Sequence, residues 1–160
     1  MSSPFPATSM NPEVSLHASL DFATVRKQLT GVRALVLEEE SESFGLMFVS
    51  LSRAGCTATL ARRWAQIDPA IGRTHPTLIL FSTLLAEVRG DEIIHRLREH
   101  PATRAAILIA VAGRESKKER RKLIDLGCDG YVWKPIDRYL FAMDLVARTP
   151  RLLRISDSPR

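Results

Sequence analysis

Five short apolar runs recur along the chain, each followed by a segment of helical length. They are VRALVL (32–37), CTATL (56–60), TLILF (77–81), AAILIAVA (105–112) and YVWK (131–134). VRALVL, TLILF and AAILIAVA, apolar without regular polar alternation, read as buried strands, and CTATL and YVWK as the second and fifth strands. Between and after them lie SFGLMFVSLSRAG (43–55), ARRWAQID (61–68), GDEIIHRLREH (90–100), SKKERRKLIDLG (116–127) and a last helix over about 137–148. Ile93, Ile94 and Leu97 share one helical face, Ser116 and Glu119 stand at capping-box spacing, and Gly55 and Gly127 supply helix stops. Strict alternation of this kind predicts an α/β fold: a doubly wound, five-stranded parallel sheet covered by helices on both sides.

One domain accounts for most of the 160 residues. Residues 1–31 mix Pro, Ser, Thr and Asn and read as a flexible extension, with a short helix in SLDFATVRKQL in which Phe22, Val25 and Leu29 share a face. Residues 32–149 carry the alternating pattern, and 150–160 read as a basic tail. No apolar run approaches the roughly 20 residues of a membrane span, and MSSPFPATSM lacks the charged-then-apolar order of a signal peptide. The expectation is a cytoplasmic protein without a membrane partner. Cys56 and Cys128 lack paired spacing, and His17, His75, His95 and His100 show neither metal spacing nor a triad partner. No enzyme is expected.

The formal charge of +5 is concentrated late in the chain. GRESKKERRK (113–122) holds six basic and two acidic side chains, and residues 148–160 hold four arginines against Asp157. Lys117 and Lys118 stand in the first turn of their helix, where the helix dipole disfavours cations. Such a run is either a solvated face or an anion or partner surface made of Arg114, Lys117, Lys118, Arg120 and Arg121.

Ligands of open parallel sheets sit beyond the carboxyl ends of the strands, where strand order reverses. The residues due there are Glu38, Glu39 and Glu40 after strand one, Ser82 after strand three, Ala112 and Gly113 after strand four and Lys134 after strand five. LVLEEE, the segment LRE followed by HPATRAAILIAVAG, and above all LGCDGYVWKPID resemble the receiver domain of two-component response regulators over residues 32–149. The resemblance implies the flavodoxin-like three-layer sandwich. It places Glu38 and Glu39 in the acidic pocket, Ser82 where the family has its phosphoacceptor aspartate, Ala112 at the switch hydroxyl, Tyr131 at the switch aromatic and Lys134 at the invariant lysine.

A serine hydroxyl without an adjacent base is a poor nucleophile and cannot form an acyl phosphate. Ala112 lacks the hydroxyl, Ala86 stands where the loop usually has proline, and Ile107 replaces the usual proline before strand four. The reading is therefore a degenerate, non-phosphorylatable receiver in which Lys134 pairs with Glu38 or Glu39. At best a weak magnesium ion would bind Glu38 and Glu39, and no other cofactor is expected.

Function would then lie in protein contacts in a two-component phosphorelay. The helix SFGLMFVSLS is apolar almost all round and is either covered by the N-terminal segment or docked by a histidine kinase or adaptor. Arg138, Tyr139 and Phe141 form a candidate homodimer face by analogy with the family. The alternative is an effector that binds an anionic ligand, a cyclic dinucleotide or nucleic acid, through residues 116–127. No DNA-binding motif fits after residue 150, which makes nucleic acid the weaker of the two.

Overall fold

The computed structural model describes residues 20–154. Helix α1 (Phe22–Leu29) begins at Asp21, whose carboxylate accepts from Thr24 N at 2.8 Å. Then follow β1 (Arg33–Leu37), α2 (Ser41–Arg53), β2 (Thr57–Ala61), a 3₁₀ turn (Trp64–Gln66), α3 (Ile67–Thr74), β3 (Leu78–Ser82) and α4 (Gly90–Glu99). The chain continues through β4 (Ile107–Ala112), α5 (Lys117–Asp125), β5 (Gly130–Trp133), α6 (Phe141–Arg148) and α7 (Pro150–Leu153). All strands are parallel in the order β2-β1-β3-β4-β5, so the order reverses between β1 and β3. The doubly wound sheet read from the alternation is the one observed.

Side-chain alternation divides the core into two layers. Ala34, Val36, Leu78, Leu80, Ile109 and Val132 face α1, α2, α6 and α7. Leu35, Leu37, Ile79, Phe81, Leu108 and Tyr131 face α3, α4 and α5. Because β1, β3 and β4 are covered on both sides, nearly every residue in them is buried, whereas the edge strand β2 is only half-buried.

Several boundaries depart from the sequence reading. The helix expected at 61–68 runs instead from Ile67 to Thr74, because Ala61 pairs with Leu37 as the last residue of β2. Pro69 sits inside the first turn of α3, where its missing N–H forfeits no helical bond. The short helix expected in SLDFATVRKQL is present as α1, but it is packed rather than part of a loose extension: Val25 and Leu29 are fully buried in the core with Leu145 and Leu152, while Phe22, expected on the same face, is exposed. Residues 150–153, expected in a basic tail, form a helical turn that buries Leu152, with Thr149 buried beside it. Gly130 leaves no room for a Cβ against that threonine. Residues 1–19 and 155–160 lie outside the described residues, and with them His17, Asp157 and part of the expected extension and tail.

Candidate functional site

The sheet register brings the site together. Leu37 pairs with Phe81, Ser82 with Val111 and Ala112 with Trp133, so Glu38, Ser82, Ala112 and Lys134 end side by side at the carboxyl edge. Lys134 N donates to Ala112 O at 2.9 Å, which sets the start of the β5–α6 connection against the end of β4. The Lys134–Pro135 peptide is cis.

Lys134 Nζ donates to Glu38 Oε1 at 2.9 Å and to Glu40 Oε2 at 3.0 Å. Burial, the largest single influence, favours the neutral amine, yet the bonds to the two carboxylates hold the ammonium above its ordinary range. The Lys134 bond, followed by a contact with Ser43, holds Glu40 below the ordinary glutamate range. Glu38 is 2% exposed; its Oε1 also accepts from Glu40 N at 3.2 Å, while its Oε2 is buried without a partner. Of the two partners expected for Lys134, Glu38 is the one it bonds; Glu39 takes no part, and Glu40 supplies a second carboxylate that the sequence reading did not name as a partner.

Glu39 reaches the other way. Its Oε1 accepts from Ala86 N at 3.1 Å, joining the β1–α2 loop to the β3–α4 loop. Arg62 reinforces this edge by donating to Glu39 O at 3.2 Å and to Ser41 Oγ at 2.7 Å. Ser82 is 3% exposed, and its Oγ accepts from Leu84 N at 3.2 Å. The exposed Leu84 side chain lies against Gly113, so that a Cβ at 113 would meet Leu84 Cδ1 at 2.9 Å.

These residues do not fit a magnesium ion. Glu38 Oε1 and Glu40 Oε2 are held by an ammonium, Glu39 is turned toward Ala86, and position 82 supplies a buried hydroxyl instead of a carboxylate. One orphaned oxygen, Glu38 Oε2, falls short of the oxygen-rich shell that magnesium requires. Among the described residues, no three side chains of metal-ligating type converge. The weak magnesium site expected at Glu38 and Glu39 is not supported by this geometry.

Tyr131 is packed inward at 1% exposure, in the same layer as Ala112, and its hydroxyl donates to Arg114 O at 3.0 Å. Burial and then the negative charge of Glu119 push the phenol up to about 12. The five cations expected to share a surface are all exposed, but they divide. Lys117, Arg120 and Arg121 line a cavity of about 420 Å³ between α5 and β5, together with Trp133; Arg114 and Lys118 lie outside it. Trp133 went unnoticed in the sequence because the β5 run reads as core, and only the open side of β5 shows its indole half-exposed.

Of the expected dimer face, Arg138 and Tyr139 are exposed, the Arg138 guanidinium lying 4.9 Å from the Tyr139 ring centroid. Phe141 is 2% exposed inside the core and cannot join them. Asp137 Oδ1 accepts from Tyr139 N and Leu140 N, so the helix starts only at Phe141 and turns that ring inward.

No protein-family model matches the chain. Among curated proteins, the chain is 28% identical over 119 residues to the phosphate regulon transcriptional regulatory protein PhoB of Rhizobium meliloti, covering 74% of this chain and 51% of that protein. It is 25% identical over 122 residues to PhoB of Escherichia coli, covering 76% and 52%. The chain thus spans about half the length of these PhoB relatives. Among solved structures, a response regulator from Desulfuromonas acetoxidans matches with a TM-score of 0.65 and 25% identity, over 78% of this chain and 98% of that one. Carboxyl-edge site, strand order and relatives agree. The described residues have the receiver fold of these response regulators. The receiver fold is also that of the chemotaxis response regulator CheY4 of Vibrio cholerae, with a TM-score of 0.66 at 13% identity over 77% of this chain and 99% of that one. No helix among the described residues is long and apolar enough to cross a membrane.

Proposed function

We propose that this receiver-like domain works in two-component signalling without being phosphorylated, through contacts with a signalling protein such as a histidine kinase or an adaptor. The observation that carries the reading is Ser82 at the carboxyl end of β3, the place that the receiver resemblance assigns to the phosphoacceptor aspartate: it is buried, and its hydroxyl already accepts from Leu84 N. The surroundings support the same reading. Lys134 is committed to Glu38 and Glu40, Ala112 offers no hydroxyl, and Glu39 bonds Ala86 N across the loop mouth. A site whose lysine, serine and loop mouth are already held by internal bonds has one preferred arrangement in this reading, and no phosphoryl group to switch it. Contacts would then come from the exposed side chains of α2 and of the turn before α6, namely Phe48, Val49, Tyr139 and Leu140. The protein acts in this reading by occupying a partner and is not an enzyme.

The test is an amide NMR titration with magnesium and beryllofluoride, a mimic of the phosphoryl group, run beside Ser82→Asp. The expected result is no response in the native chain and a gained response in the variant. Saturating shifts of Glu39, Gly113 and Lys134 in the native chain would overturn the reading.

A further inference from the structure

We propose that the groove between α5 and β5 binds a nucleotide, with a phosphate held by Lys117, Arg120 and Arg121 and the base laid against Trp133. The site is separate from the carboxyl-edge pocket and independent of the proposed signalling role. Its cavity of about 420 Å³ is lined by those three cations, by Ser116, Ile124, Tyr131 and Trp133, and by the carboxylates Glu115 and Asp125. That volume falls within the roughly 300–1,000 Å³ of small-molecule pockets.

Two independent features favour such a ligand. Lys117 is the first residue of α5, where the helix dipole opposes a cation, and a bound anion reverses that penalty. Trp133 is a half-exposed indole at the other side of the groove, with the Arg148 guanidinium 4.1 Å from its ring centroid. Aromatic faces backed by arginine are stacking platforms for nucleobases.

The balance of charge decides the class. Three cations against two carboxylates suit a ligand with few phosphates whose remaining affinity comes from stacking. A polyanion such as a nucleic-acid backbone would meet Glu115 and Asp125 repeatedly, and an acidic peptide would leave the indole unused.

The experiment follows the Trp133 indole N–H in nitrogen-15 NMR spectra, assigned through Trp133→Phe, while linear and cyclic adenine and guanine ribonucleotides and inorganic phosphate are added separately. The expected result is saturable movement of the indole signal with at least one nucleotide and none with phosphate. The double variant Arg120→Ala, Arg121→Ala, whose side chains are exposed and whose fold is checked by circular dichroism, should bind that nucleotide about tenfold more weakly or worse. Absence of saturation with every nucleotide into the millimolar range, equal movement with phosphate alone, or unchanged affinity in the double variant would each overturn the proposal.

Discussion

Lys134 and Glu38 meet at 2.9 Å although 96 residues separate them, the ammonium reaching from the end of β5 to the end of β1. The carboxylate is 3% exposed at its side chain and the lysine 14%, so removing either partner strands a charge out of water. Lys134→Met should destabilise the domain by about 3 kcal/mol, and joint replacement of Lys134 and Glu38 by methionine should recover most of that loss. Urea denaturation of the two variants checks it; equal losses in both would refute a charge-pair origin.

The same cluster sets the pH response. Glu40 is held below its ordinary 4.5, so its contribution is complete above pH 4.5 and disappears as pH falls through the lowered value. Lys134 is held above its ordinary 10.5, so its contribution is complete below pH 10.5 and disappears as pH rises through the raised value. Burial pushes Cys56 from 9.0 up to about 12 and Cys128 from 9.0 up to about 11, which starts the alkaline loss near pH 9, where thiols of the unfolded chain ionise. Thermal melts from pH 3 to 11 should show a plateau between these limits, and Glu40→Gln should shrink the acid limb.

Asp129 anchors the opposite edge of the sheet. Its Oδ2 accepts from Arg98 at 2.8 Å, from Arg151 at 2.9 Å and from Leu108 N at 2.9 Å, tying α4, α7 and β4 together. Asp129→Ala leaves the partly buried Arg98 without its counter-ion and should cost about 3 kcal/mol. Arg151 is 44% exposed at its side chain, so Arg151→Ala should cost about 1 kcal/mol or less. Denaturation midpoints in that order support the ranking.

Gly130 and Thr149 touch where β5 passes under the α6–α7 junction. A Cβ at 130 would collide with the Thr149 hydroxyl, itself buried without a hydrogen-bond partner. Gly130→Ala should therefore destabilise by about 1–3 kcal/mol, and adding Thr149→Ala should return part of the loss. Strict additivity of the two changes in calorimetry would contradict the contact.

Ala86 gives a local test at the loop mouth. Proline there removes the N–H that Glu39 accepts, and the two loops should lose about 1 kcal/mol of mutual restraint. Faster hydrogen exchange at the amides of residues 83–89 in Ala86→Pro is the expected readout.

The five strands and their flanking helices were legible in the linear sequence because burial on both faces demands apolar runs of strand length, a local property that leaves a local mark. Ile107–Ala112 and Gly90–Glu99 lie within two residues of their sequence readings for that reason. The α3 helix was misplaced because strand pairing of Ala61 with Leu37 and the tolerance of Pro69 in a first turn are decided by neighbours and by position, not by composition. Clustering of Glu38, Ser82, Ala112 and Lys134 followed from the expected topology. Which glutamates bind the lysine, where Glu39 points, the inward turn of Phe141 and the exposure of Trp133 depended on side-chain direction at the sheet edge. The sequence alone determined a five-stranded parallel α/β scaffold and the residue types at its carboxyl edge, since periodicity and hydrophobicity act residue by residue. Only the tertiary structure decided which of those residues touch, because a hydrogen bond between chain-distant groups depends on register and loop path, which no short window of sequence contains.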